Sequence, residues 1–320
     1  VAATSAQTVF VGLTGEGGQG ACSSCLGQLN LAVNPPLFQA VTQPEVTRIT
    51  GAPLLQSNAA GDRVFVSFGA SPGSPLALWL ASSPNQFTVA GASASAADIG
   101  ASADGTMFAT QSGGATQIRG TDLSLMSLPA VQELAVSPGR SAVPGVTLHP
   151  SGALVYQPFL ANAPGSPGAQ GGVDILDTHS GALRMRIFLP QQLMTDVDGL
   201  HGGFLTTDEN GQRLFAITST DGSPQNSGIT VVQLAKVPLG IGTLTPTTGA
   251  VAGGASVTLR GSGFMTGITV SIGGKNAATT FKDTNSLSFV VPALPAGAQQ
   301  LRLKNPDGET VSLDAAFTAN

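Results

Sequence analysis

Ser256-Val257-Thr258-Leu259-Arg260, preceded by Gly253-Gly254 and followed by Gly261-Ser262-Gly263-Phe264, is the stretch that decides how the chain is read. Val257 and Leu259 alternate with Thr258 and Arg260, the period of a strand with one buried and one wet face. The pattern returns at Gln300-Leu301-Arg302-Leu303-Lys304, and an apolar run at Ser288-Phe289-Val290-Val291 is closed by Pro292. Val270-Ser271-Ile272-Gly273-Gly274 and Asn305-Pro306-Asp307-Gly308 carry the glycines that tight hairpins require at left-handed positions. Short strands punctuated this way fold as an antiparallel sandwich. Residues 237–320 are expected to form that sandwich, and residues 1–236 a separate region, with Lys236-Val237-Pro238 as a hinge between them.

These motifs, with Pro246-Thr247-Thr248-Gly249 ahead of them, resemble the IPT/TIG domain family. The resemblance implies an immunoglobulin-like fold that serves as a binding or spacer module and not as an enzyme. Some members of that family grip DNA. Here Arg260, Lys275, Lys282, Arg302 and Lys304 are nearly balanced by Asp283, Asp307, Glu309 and Asp314, so no basic stripe exists to collect phosphates.

Upstream, a recurring unit runs from residue 1 to about 236. A polar or glycine turn leads into a short apolar strand, a glycine-rich loop and a second apolar strand. The first strands are anchored at Val9, Val64, Met107, Leu154 and Leu214, spaced by 55, 43, 47 and 60 residues. The second strands are read at 28–33, 76–80, 117–119, 173–176 and 229–234. Such periods belong to four-stranded propeller blades. No helical periodicity is present beyond a turn near 191–194. The unit Ser151-Gly152-Ala153-Leu154-Val155-Tyr156, followed by Val173-Asp174-Ile175-Leu176-Asp177-Thr178-His179-Ser180-Gly181, resembles the repeat of YVTN-type and lactonase-like β-propellers. The fold class expected is all-β, about five blade units followed by the sandwich. The first repeat enters at its second strand and the last ends after its third. Either upstream blades have been removed, or the open edges meet a partner, because a bare sheet edge is a template for another chain.

Composition narrows the function. Only 10% of the residues are charged, against roughly 25% in ordinary soluble domains, and the net charge is -5. A surface so poor in charge is inclined to associate. Net negative charge disfavours nucleic acid, and no apolar run reaches the roughly 18 residues of a membrane span. The start at Val1-Ala2-Ala3-Thr4 fits a secreted chain whose leader has been removed, and also a trimmed sequence; the first gives the expectation of an extracellular or cell-surface location.

Few residues carry candidate chemistry. Cys22 and Cys25 form a C-x-x-C pair without the following His of a haem site, without a strand-helix context for redox work, and without further zinc ligands. A local disulfide is the expectation, with free thiols or interchain bridges as the alternatives. Gly15-Glu16-Gly17-Gly18-Gln19-Gly20 satisfies G-x-G-x-x-G, but no helix follows to hold a pyrophosphate. Gly69-Ala70-Ser71-Pro72-Gly73 satisfies G-x-S-x-G, but Pro72 excludes the strand-to-helix elbow. Asp196 and Asp198, ahead of Gly199 and His201, are the weak calcium candidates, set against a solvated turn. His149, His179 and His201 sit at blade turns, where capping of backbone groups is commoner than a metal or catalytic role. No catalytic residue, cofactor or firm metal site is assigned. A self-assembling structural protein, with copies of itself as partner, is the first expectation. An adhesive or ligand-binding protein, meeting surface polysaccharide or protein, is the second, and a lactonase-type hydrolase the third.

Overall fold

A computed structural model of the 320-residue chain describes residues 2–4, 7–14, 24–43, 46, 53–68, 75–90, 98–112, 115–126, 133–135, 141–143, 145–161, 171–194 and 203–320. The described residues are almost entirely strand and turn. Five antiparallel sheets succeed one another before the sandwich. Blade 1 holds β1 (Ala2–Ala3), β2 (Thr8–Thr14), β3 (Ser24–Asn30) and β4 (Leu37–Ala40). Blade 2 holds β5 (Leu54–Ser57), β6 (Arg63–Ser67), β7 (Leu76–Leu80) and β8 (Phe87–Val89), and blade 3 holds β9 (Asp98–Ala101), β10 (Phe108–Ser112), β11 (Ala115–Arg119) and β12 (Glu133–Ala135). In blade 4 the inner position is divided between β13 (Ser141–Ala142) and β14 (Thr147–Leu148), both paired with β15 (Leu154–Leu160), beyond which lie β16 (Gly171–Asp177) and β17 (Leu183–Phe188). Blade 5 divides its inner position likewise, between β18 (Gln192–Leu193) and β19 (Leu205–Thr207), and continues through β20 (Arg213–Ser219) to β21 (Ser227–Gln233).

Two expectations are corrected by this topology. Ala2–Ala3 pairs with β2, so the first blade does possess its inner strand. Gln192–Leu193 is strand rather than a helical turn, because its backbone completes the ladder to Thr218 and Ser219. Blade 5 does end at its third position, as its sequence indicates.

The inner strands pack in order, β1 on β5, β5 on β9, β9 on β14 and β14 on β19, and apolar layers fill the spaces between blades. Phe10 packs edge-on against Trp79 between blades 1 and 2, and Phe65 stacks on Phe108 at 4.4 Å between blades 2 and 3. Met107, Ala109 and Ile118 meet Val146, Leu148 and Val155 between blades 3 and 4. Tyr156, Val173 and Ile175 meet Leu205, Leu214 and Ala216 between blades 4 and 5. A blade strand has neighbours on both faces, so β15 and β16 are buried along their whole length.

The turn from inner to second strand repeats with different residues. Asn58, Ser102, His149 and Asp208 each accept a hydrogen bond from the glycine three residues on, Gly61, Gly105, Gly152 and Gly211, all at positive φ. Asn58 Oδ1, Ser102 Oγ and Asp208 Oδ1 also accept the N–H of Arg63, Met107 and Arg213. This is the chemistry of turns that start on a side-chain acceptor and end on glycine. Blade 1 makes the turn one residue shorter, from Thr4 to Thr8, and puts Gln7 in the left-handed conformation at φ 54°. A Cβ is disfavoured there, so Gln7→Gly is expected to stabilise the chain by about 1 kcal/mol. Urea unfolding measures it, and a loss of stability would show that the Gln7 side chain is worth more than the strain.

The sandwich comprises β22 (Gly240–Thr245), β23 (Thr248–Gly249), β24 (Ser256–Ser262), β25 (Thr269–Ile272), β26 (Lys275–Asp283), β27 (Ser286–Val290), β28 (Gly297–Lys304) and β29 (Thr310–Ala319). Strand β26 pairs with β25 through its first residues and with β27 through its last, carrying the chain from one layer to the other. Val257, Leu259, Phe289, Leu301, Leu303 and Phe317 form the core between the layers.

Lys236-Val237-Pro238 is not a free hinge. Val237 is buried in the core between blades 4 and 5, and Lys236 Nζ pairs with Asp307 and Glu309 at 2.5 Å. Glu309 Oε1 accepts both the Leu239 N–H and an Arg184 N–H, at 3.0 and 2.9 Å, and Arg184 also donates to Leu239 O. A Cβ on Gly242 would lie 2.2 Å from Ser151 O, so only glycine lets β22 lie this close to blade 4.

Candidate functional site

Most residues singled out from the sequence as candidates for chemistry lie outside the described residues. These are Asp196, Asp198, His201, Cys22 and the glycine motifs at 15–20 and 69–73; Cys25 contributes only its backbone, paired in β3 opposite Leu13. The two described histidines are structural caps. His149 Nε2 donates to Asn210 O at 3.2 Å, which leaves Nδ1 to accept the Ser151 N–H, and burial lowers its pKa to about 4, so the ring is neutral. His179 lies in the turn after β16, where Asp177 Oδ1 accepts the N–H groups of His179 and Ser180, and its Nε2 donates to Gly242 O across the seam with the sandwich.

Three features remain as sites. The first is the outer edge of blade 5. Strand β21, Ser-Gly-Ile-Thr-Val-Val-Gln, carries no charge, and Ile229 and Val231 are 72% and 54% exposed. No described strand pairs with its outer side. The outermost strand of blade 4, β17, carries Arg184 and Arg186, which are tied to Glu309 and Asp174.

The second is a cavity of about 470 Å³ where β5, β9, β14 and β19 converge. Gln56, Thr147, Thr206, Asp208 and Glu209 contribute polar groups from the blades, and Arg260 of β24 reaches in from the sandwich. A cavity with a few convergent polar groups is the usual form of a small-molecule site.

The third is a line of buried polar side chains across blade 3. Asp98, Gln111 and Thr116 stand opposite one another on β9, β10 and β11. All three are buried; the Gly145 and Val146 N–H groups approach the Asp98 carboxylate, while both amide atoms of Gln111 and Thr116 Oγ1 have no hydrogen-bond partner among the described residues. Asp98 Oδ1 accepts the N–H of Ile99 at 2.9 Å and of Gly203 at 3.2 Å, where the inner strand of blade 5 is interrupted. Burial outweighs these donors and pushes the Asp98 carboxyl up to about 7. Neither this line nor Arg260 was singled out from the sequence as a site. Gly203 is 105 residues from Asp98, and nothing local to Asp-Ile-Gly-Ala announces their contact.

Comparison with known proteins supports the immunoglobulin-like sandwich at the end of the chain. Residues 239–319 match the IPT/TIG domain model. A search of curated protein sequences finds no match. Among solved structures, the chain is similar to the C-terminal WD40 domain of Sif2, at 13% identity and a TM-score of 0.37, covering 90% of this chain and 75% of that one. It is similar to a functionally unknown protein from Desulfotomaculum acetoxidans at 13% identity and a TM-score of 0.43, covering 99% and 86%. Similarity to the hydrazine synthase of Kuenenia stuttgartiensis, at 12% identity and a TM-score of 0.39, covers 81% of this chain and 65% of that one.

Proposed function

We propose that this chain is a non-enzymatic protein of the cell exterior that builds a larger assembly by associating with copies of itself. The observation that carries the reading is the uncharged outer edge of β21, with Ile229 and Val231 standing in solvent. A chain with only 10% charged residues offers little electrostatic repulsion to keep copies apart. The IPT/TIG domain suits a cell-surface or adhesion-type role, and the commitment of His149 and His179 to backbone capping supports a non-catalytic one.

Hydrogen-bonded and apolar contacts are scarcely screened by ions, whereas exposed ion pairs loosen as salt rises. Light scattering of the wild-type protein across concentration is expected to show oligomers, equally in low and high salt. A monodisperse monomer at micromolar concentration in both would overturn the reading. In that event the cavity beneath Arg260 favours the second reading, an adhesive protein that binds a polar group of a surface polysaccharide or protein.

A further inference from the structure

The self-association read above leaves open which groups meet, and the geometry of β21 answers that. Ile217 on β20 donates its N–H to Phe204 O and its C=O accepts the Met194 N–H, so its main-chain groups face the inner strands. In an antiparallel ladder the direction of these groups alternates from residue to residue. The partners of Ile217 and Phe215 on β21 are Ile229 and Val231, whose N–H and C=O groups therefore point outward, away from β20. Leu234 N–H, bonded to Gln212 O, fits the same alternation.

We propose that β21 pairs antiparallel with β21 of a second copy about a two-fold axis at Thr230. This register sets Ile229 opposite the partner's Val231 and Val231 opposite the partner's Ile229. Each of these pairs exchanges two N–H···O bonds, about four in all. The side chains that meet are Ile and Val on the exposed face, a favourable cross-strand pairing. A two-fold contact also brings each residue near its own copy, so any charge on the strand would meet a like charge. Strand β21 has none. The two blades then form one continuous sheet. A single strand pair is narrower than the roughly 800 Å² per partner of a standard interface, so the dimer is expected in the micromolar range.

The register is tested by oxidative cross-linking of the full chain. Thr230 faces its own copy in a pair without hydrogen bonds, where Cα atoms stand about 4.5 Å apart, within reach of a disulfide. Thr230→Cys is expected to yield a covalent dimer under mild oxidation, and Ile229→Cys and wild type far less. In parallel, Val231→Pro deletes an outward N–H while sparing the ladder to β20, and is expected to weaken association about thirtyfold with the melting temperature little changed. If wild type associates but Thr230→Cys does not cross-link and Val231→Pro is without effect, the contact lies elsewhere and this inference fails while self-association stands. If wild type is monomeric, both fail.

Discussion

Replacing Asp98 with Asn is expected to stabilise the protein at pH 8 by as much as about 4 kcal/mol and to leave it nearly unchanged at pH 4. The carboxyl has an ordinary value of 3.8 and is raised to about 7 in the fold. Between those values the folded chain holds a proton that the unfolded chain has released. The stability linked to Asp98 is thus present below pH 4, is lost as pH rises towards 7, and changes no further above it. Asn keeps an acceptor for the Ile99 and Gly203 N–H groups, brings a donor beside Gln111, and carries no charge to bury. Denaturant unfolding at pH 4.5 and pH 8 decides the matter. Parallel profiles for variant and wild type would mean that Asp98 is ionised in the fold at little cost.

Gly242→Ala is expected to cost about 3 kcal/mol and to divide one melting transition into two. The new methyl group would meet Ser151 O at 2.2 Å and Arg260 O at 2.9 Å, both backbone atoms with no rotamer to yield. Relief requires β22 to lift from blade 4, which also withdraws Gly242 O from His179 and Leu239 from Arg184 and Glu309. Residues 1–236 and 237–320, proposed as separate folding units, would then melt apart. Calorimetry reads the number of transitions. A single transition at the wild-type temperature would show that the seam absorbs a methyl group, and a general collapse would show that the two parts share one core.

The sandwich was legible because its strands alternate and its glycine turns are tight. Even so, β22, β23, β26 and β29 do not stand out in the sequence. Strand β26, Lys-Asn-Ala-Ala-Thr-Thr-Phe-Lys-Asp, changes layers midway and buries no residue fully, so it lacks the apolar alternation that marks its neighbours. The blades were legible as apolar runs, and the central three gave nearly correct second strands. Their repeat shows in the polar or glycine turn before each apolar strand, but not in the residue that starts the turn, where Thr4, Asn58, Ser102, His149 and Asp208 perform one task with different chemistry. What the turn requires is an acceptor and a following left-handed residue, and pattern reading by residue type does not see an acceptor. The open end of blade 5 could be anticipated by counting strands. The buried line through Asp98 could not, since its register depends on three strands and one donor to its carboxylate, the Gly203 N–H, lies 105 residues further along the chain.

His149 bears on how the Asp98 measurement must be interpreted. Its neutral ring, held at about 4 against an ordinary 6.5, gives stability that is present above pH 6.5 and is lost as pH falls towards 4. Asp98 has the opposite slope over the same interval. The two contributions oppose one another between pH 4 and 6.5, so the wild-type profile is expected to be flatter there than either group alone would make it. A flat acid profile would then be a balance between two desolvated side chains, and removing either one would uncover the other.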